Sequence, residues 1–317
     1  MFFPILNQMA ILFAFIVIGY LLLKCKILPK NSDVVLSKLE NYLFLPALVL
    51  GAYIEKCTVE TLSSVWKTVV FSLILLVVVL PLSYWIAKWI YKDDYLRKIG
   101  QYGLTISNIS FLGNAIMIAV FPEIFFEYSM FILPIGFLSY LWGVPALLIG
   151  KSKGEKRSVK ETLKAVFNPT VLAMIVGIII GLIGWKLPQI VASVINGVGS
   201  CMSPIAMILT GIVIAKANLL SLIKSWRLYV ISIVRVLIYP LLYIAVCIWL
   251  PIGGFFSESM LICGLMTMCL PMGLNAVVIP AAYGKDTSAA ASMTLITSLL
   301  SIGSIPFMFW VFQTLVL

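Results

Sequence analysis

Nearly the whole of this 317-residue chain is a succession of apolar runs, each of a length that suits one crossing of a bilayer. A hydrocarbon core of about 30 Å needs about 20 residues of helix. Cutting the sequence at its charged clusters gives ten candidate spans, at 3–23, 34–53, 68–91, 99–121, 128–150, 168–186, 190–215, 228–250, 259–282 and 288–315. Only 11% of the residues are charged. Soluble domains carry about a quarter, so this chain has too few to cover a surface facing water. The expected fold class is an all-α polytopic membrane protein.

Composition also excludes several functions. The net charge of +10 does not read as a nucleic-acid footprint, because the basic residues gather in a few loops on one side of the expected membrane. There is no His, which removes the commonest metal ligand and the usual proton carrier at neutral pH. The six Cys contain no C-x-x-C pair and read as small buried apolar residues, not a metal or disulfide framework. No cofactor is expected. The absence of His, of clustered acids and of a nucleophile motif counts against an enzyme. The first run, Phe2–Leu23, has no basic leader and no small-residue cleavage site, and reads as a retained span. Trp66, Trp85, Trp89, Trp185, Trp226 and Trp249 lie near the ends of runs, as in an interfacial belt.

Eighteen of the 22 basic residues fall in the loops after odd-numbered spans, including Lys24, Lys92, Arg97 and the stretch Lys151–Lys164. Lys56, Lys67 and Lys186 are the three in the other loops. Positive charge stays in the cytoplasm, so both termini are expected outside it, in a plasma membrane. The polar stretch divides the chain into a first five-helix repeat (1–150), a cytoplasmic basic linker (151–166) and a second repeat (167–317). Helix breakers recur in order in the two halves: Pro4 with Pro169, Gly19 with Gly184, Pro29 with Pro188, Pro46 with Pro204, Pro81 with Pro240, Asn114 with Asn275 and Pro145 with Pro306. Because each half has an odd number of spans, the second enters the membrane inverted. Inverted repeats are a hallmark of secondary transporters.

In such folds a ligand binds near the midplane, where helices break. The fourth span carries Ser107, Asn108, Ser110, Gly113 and Asn114, and the ninth carries Pro271, Gly273 and Asn275, followed by Pro280. Proline removes a backbone donor and clashes with the preceding turn. Two helices broken and crossing there would aim half-helix N-termini, each with about half a positive charge, at the centre. Asn108 and Asn275 would add amide donors, an environment suited to a carboxylate. The alternative is that these residues only pack neighbouring helices, as small and polar residues often do in membranes; their equivalent places in the two halves favour a site. Arg235, inside the eighth span, is open to two readings: a functional intramembrane charge or a side chain snorkelling to the surface. No Asp or Glu stands at the centre of a span. The nearest is Glu40, with Asn41 beside it at the start of the second span, so no carboxylate relay for protons or sodium is evident.

These residues carry a family resemblance. The stretch Leu270–Asp286, which holds Pro271, Asn275, Pro280 and Tyr283, resembles the ninth-span signature of the auxin efflux carrier family. The Ser107–Gly113 stretch, the pair Asn168-Pro169, and the spacing of Arg235 to Pro240 are similar to other motifs of that family. Ala115 stands where members usually have Pro, and Asn114 replaces a typically apolar residue; the short linker is like that of small bacterial members. The resemblance implies a scaffold of spans 1, 2, 6 and 7, a transport domain of spans 3–5 and 8–10, an elevator-type cycle, a homodimer and organic-anion substrates.

The function expected is carriage of a small organic anion, auxin-like or another carboxylate, most simply as export. An inside-negative potential contributes about 2.3 kcal/mol per 100 mV for each charge moved, so a monoanion leaves without a coupled ion. A sodium- or proton-coupled importer and a non-transporting sensor are the alternatives. The partners expected are the anion, lipid and a second copy of the chain, with no nucleic acid.

Overall fold

A computed structural model describes residues 2–149, 169–216, 225–250, 255–277 and 288–317. The linker, Asn168, Pro280 and the Tyr283–Asp286 stretch lie outside the described residues. Eleven helices are described: α1 (Phe2–Lys24), α2 (Ser32–Lys56), α3 (Val59–Ile90), α4 (Asp94–Thr105), α5 (Ile109–Val120), α6 (Phe125–Leu138), α7 (Pro169–Ile183), α8 (Gln189–Lys216), α9 (Trp226–Trp249), α10 (Glu258–Cys269) and α11 (Ser288–Leu315). Among the described residues, seven helices are long and apolar enough to cross a membrane, counting α6 with its flanking turns as Pro122–Gly143, and α5, α7 and α10 are shorter apolar ones. The expected fourth run is divided into α4 and α5, and the ninth breaks after α10.

The outer surface fits a lipid environment. Val77, Ile190, Trp89 and Trp249 are all at least 70% exposed, which water would penalise and acyl chains do not. Trp85 and Trp89 lie in the last turns of α3, and Trp226 and Trp249 bound α9. This is where an indole ring meets headgroups. Thr58 starts α3 with a reciprocal capping box: Thr61 N donates to Thr58 Oγ1 at 3.2 Å, and Thr58 N to Thr61 Oγ1 at 2.7 Å. Thr58→Ala is expected to cost about 1 kcal/mol, measurable as a lower unfolding midpoint in detergent.

Two close helix pairs form one side of the molecule, α1 with the second half of α8 and the second half of α2 with α7. Glycine permits both. A Cβ on Gly19 would collide with the Ile208 carbonyl, and one on Gly211 with the Ile16 carbonyl. On the other pair, a Cβ on Gly177 would come within 3.2 Å of the Leu50 carbonyl oxygen and 2.6 Å of Tyr53 Cβ. Both α1 and α7 end with a left-handed residue, Lys26 (φ 59°) and Gly184 (φ 70°). In each case a backbone N–H reaches back five residues, Ile27 to Leu22 O at 3.0 Å and Trp185 to Ile180 O at 3.3 Å. Gly184, aligned with Gly19 by sequence, therefore closes its helix, whereas Gly19 packs in the middle of one.

Among the remaining helices, α3 packs against α4 and α6, α10 against α6 and α9, and α11 against α9 and also against α1. Four helical stretches widen into π turns, at Glu40–Phe44, Ile109–Gly113, Ser139–Ile149 and Val234–Ile238. Two of them immediately precede a proline near the start of the next α-helical turn, Pro46 and Pro240. Proline cannot donate to the fourth residue back, and its ring crowds that carbonyl; a wider turn upstream relieves both. Each of these two turns carries a buried charged residue, Glu40 and Arg235.

Candidate functional site

The helices α4 and α10 both stop among buried residues, and the chain leaves helical form through Ile106–Asn108 and Leu270–Gly273. These two stretches cross and pair as an isolated antiparallel bridge, Ser107 with Met272. Asn108 N donates to Pro271 O at 2.9 Å, and Gly273 N to Ile106 O at 3.4 Å. Met272 N donates to Thr297 Oγ1 of α11 at 3.2 Å. Backbone groups released by breaking the helices are thus satisfied by each other, as a membrane interior requires. Pro271 supplies only an acceptor here, and its missing N–H costs nothing. Gly273 lets the strands approach, since a Cβ would stand 3.2 Å from Ser107 O. Gly113 makes room for the Tyr128 hydroxyl, which donates to Ile109 O at 3.1 Å.

Arg235 resolves into neither a snorkelling side chain nor one facing the large cavity described below. Only 1% of it is exposed. Its Nε donates to Leu270 O at 2.9 Å, Nη1 to Leu104 O at 2.9 Å and Nη2 to Thr267 O at 2.5 Å. Leu104 lies in the last turn of α4, and Thr267 and Leu270 lie at the end of α10. The C-terminal ends of two half-helices, each about half a negative charge, therefore converge on one guanidinium. Five fixed N–H donors make arginine the side chain that can hold both at once. Ser107 Oγ adds a donor to Thr267 O at 3.1 Å.

On the side of the crossing where α5 begins, there is a cavity of about 460 Å³. Ser110 and Asn114 of α5 and Asn275 of the ninth run line it, together with Asn41 and Tyr53 of α2, Ser129 of α6 and Thr170 of α7. Val49, Ile132, Leu133, Phe137 and Met174 supply apolar walls. Among the described lining residues there is no Lys, Arg, Asp or Glu. Asn41 Nδ2 donates to Ser37 O at 2.7 Å. Asn114 Oδ1 is buried without a partner among the described residues. The Ser129 hydroxyl lies 2.9 Å from the Tyr53 hydroxyl and 2.6 Å from Phe126 O.

The residues singled out by sequence are therefore divided among several places. Ser110, Asn114, Asn275 and Asn41 meet on the cavity. Asn108 instead lines two voids of about 10 and 30 Å³, the larger shared with Ser107, Gly273 and Asn275. Pro271, Gly273 and Gly113 shape the crossing itself. Tyr53 and Ser129 escaped the sequence analysis, because one hydroxyl in an apolar run gives no signal of the face it occupies.

The chain matches the profile of a family described as membrane transport protein over residues 4–309. A comparison with curated proteins finds no match. A match over nearly the whole length, on a helical chain with several spans broken at a polar crossing, places this protein in the membrane transport protein family, that of the auxin efflux carriers.

Proposed function

We propose that this chain is a secondary transporter that carries a small organic anion, auxin-like or another carboxylate, across the plasma membrane. The observation that carries the reading is the cavity of about 460 Å³ beside the crossing, whose described lining holds no charged side chain. Asn114 of α5, Asn41 of α2 and Asn275 of the ninth run bring amides to it, and the start of α5 beside it carries a partial positive charge that suits an anion. Its apolar walls suit the body of an aromatic or aliphatic acid.

The remaining features of the proposal have supports of their own. Ten spans follow if α4 with α5, α7, and α10 with the segment after it are counted with the seven long helices. The inverted repeat is supported by the glycine contacts. Gly19 against Ile208 and Gly177 against Leu50 are one contact repeated, with both partners displaced by 158 residues, and so are the left-handed helix ends at Lys26 and Gly184. An elevator-type cycle is supported by the cavity's position, because α2 and α7 face α5 and α6 across it. The scaffold of this reading is α1, α2, α7 and α8, and the moving domain is α3–α6 with α9–α11. A cytoplasmic site for the loops after α1 and α8 agrees with the Lys216–Asp33 ion pair of 2.6 Å, which ties them together. Export as a homodimer, with both termini outside the cytoplasm, completes the proposal.

The test is thermal stability of the purified protein across a panel of small organic acids. One class of carboxylate is expected to raise the midpoint. Asn275→Ala and Asn114→Ala should each weaken binding about 10- to 100-fold, as loss of a hydrogen bond to a charged group costs about 1.5–3 kcal/mol. No response to any acid, or a response indifferent to both substitutions, would defeat the assignment.

A further inference from the structure

The acid nearest the membrane interior is placed in an unusual way. Glu40 has no exposed surface, and both of its carboxylate oxygens are buried without a partner among the described residues. The buried face of α2 runs Glu40, Leu45, Val49, Tyr53, at spacings of five, four and four. The first spacing is that of the π turn Glu40–Phe44. With ordinary α spacing Asn41 would take the buried place, and Glu40 would point elsewhere. The extra residue exchanges them: Asn41 lines the cavity together with Ser37, and the carboxyl between those two positions is packed into the protein. Turns of this type recur at functional sites.

Among the described residues, no element packed against Glu40 supplies a counter-charge. The elements packed against its turn are the flanking parts of α2, α7 and both halves of α8. Helix α7 carries no titratable side chain, and α8 carries only Cys201, which is exposed, and Lys216. Lys216 is already paired with Asp33 at 2.6 Å. On α2 itself, Lys38 and Tyr42 are exposed, and Tyr53, Glu55 and Lys56 are at least three turns away. A carboxylate ion in such a place is heavily penalised.

We propose that Glu40 is a proton-binding site that sets the affinity of the adjacent cavity for an anion. Protonated, it leaves the cavity free of charge, and a carboxylate enters. Ionised, it places a negative charge next to that carboxylate and repels it. By reciprocity, a bound anion raises the affinity of Glu40 for its proton by the same factor. A unit charge about 10 Å away at an effective dielectric constant of about 20 corresponds to roughly a tenfold change in affinity. The inference rests on the anion reading of the cavity and adds to it a pH-dependent gate.

The experiment uses the full chain in detergent. Infrared titration without ligand should show the carbonyl band of a buried carboxylic acid at neutral pH, absent in Glu40→Gln and in Glu40→Leu, the second variant guarding against a folding defect in the first. Binding of indole acetate, measured above the acid's own titration, should fall about tenfold from neutral to alkaline pH. In Glu40→Gln it should stay flat at the tight value. No band difference, or an equal pH dependence in wild type and both variants, overturns the gate alone. The band present with no binding of indole acetate or any other carboxylate at any pH overturns the gate together with the anion reading.

Discussion

Arg235→Met is expected to lower the unfolding midpoint of the protein by on the order of 10 °C, the largest effect of any single substitution considered. Methionine fills a similar volume without a donor. The carbonyls of Leu104 and Leu270 then lose their guanidinium partners, and Thr267 O keeps only Ser107 Oγ. A buried carbonyl left unpaired costs about 1–3 kcal/mol, and the two half-helix ends lose the cation that neutralises them. The sum, about 3–5 kcal/mol, is a large share of a typical stability of about 5–15 kcal/mol. Arg235→Lys keeps the charge, but a single ammonium cannot fork across two backbone strands, and an intermediate midpoint is expected. Thermal unfolding of the three proteins in one detergent checks this. If Arg235→Met unfolds with the wild type, the guanidinium is not what holds the crossing together.

Gly211→Ala should destabilise the protein by about 3 kcal/mol, although alanine is the better helix former. The added methyl would enter the space of the Ile16 carbonyl of α1, with Tyr20 N at 2.7 Å and Ile16 C at 2.9 Å. These are backbone atoms and cannot rotate aside, so α1 and α8 must separate. Lipid offers no hydrophobic drive to press them together again; close van der Waals contact is what joins such helices. A gap of 0.5–1 Å forfeits a quarter to a half of each contact. Gly197→Ala provides the control, because nothing lies within 4 Å of a Cβ there; it is expected to be neutral or stabilising by up to about 1 kcal/mol. Equal midpoints for the two alanine variants would remove the close approach of α1 and α8 as a source of stability.

Much of the outline was legible in the sequence. The break in the fourth run falls among Ser107, Asn108 and Ser110, and that in the ninth at Leu270–Gly273, where the polar and breaking residues stand. Proline and glycine act locally, through a missing donor and a missing Cβ, so their effect can be read without knowing the partner. Which amides share a cavity could not be read in this way. Asn108 and Asn114 are six residues apart, yet Asn114 faces the large cavity and Asn108 the small voids. Between them the chain leaves a non-helical stretch and enters a π turn, and neither event announces itself in composition.

Glu40 shows the same limit from the other side. Its place at the start of a span left open which face it occupies; one extra residue in a helical turn rotates that face by about 100°, and the side chain is packed inward. The glycines behave likewise: Gly19 and Gly184 are paired by the order of breakers, yet Gly19, within α1, packs against Ile208 and Gly184 takes a left-handed conformation at the end of α7. What the sequence by itself determined is the solvent of this protein and the places where its helices break, because hydropathy and backbone chemistry are properties of residues taken singly. The tertiary structure alone decided that Arg235 would join α4 to α10, that Asn41, Asn114 and Asn275 would line one cavity, and that Glu40 would be buried without a partner among the described residues. Those outcomes depend on packing between segments far apart in the chain, as Asn41 and Asn275 are, and on helical register, which accumulates along the chain and is reset by every π turn.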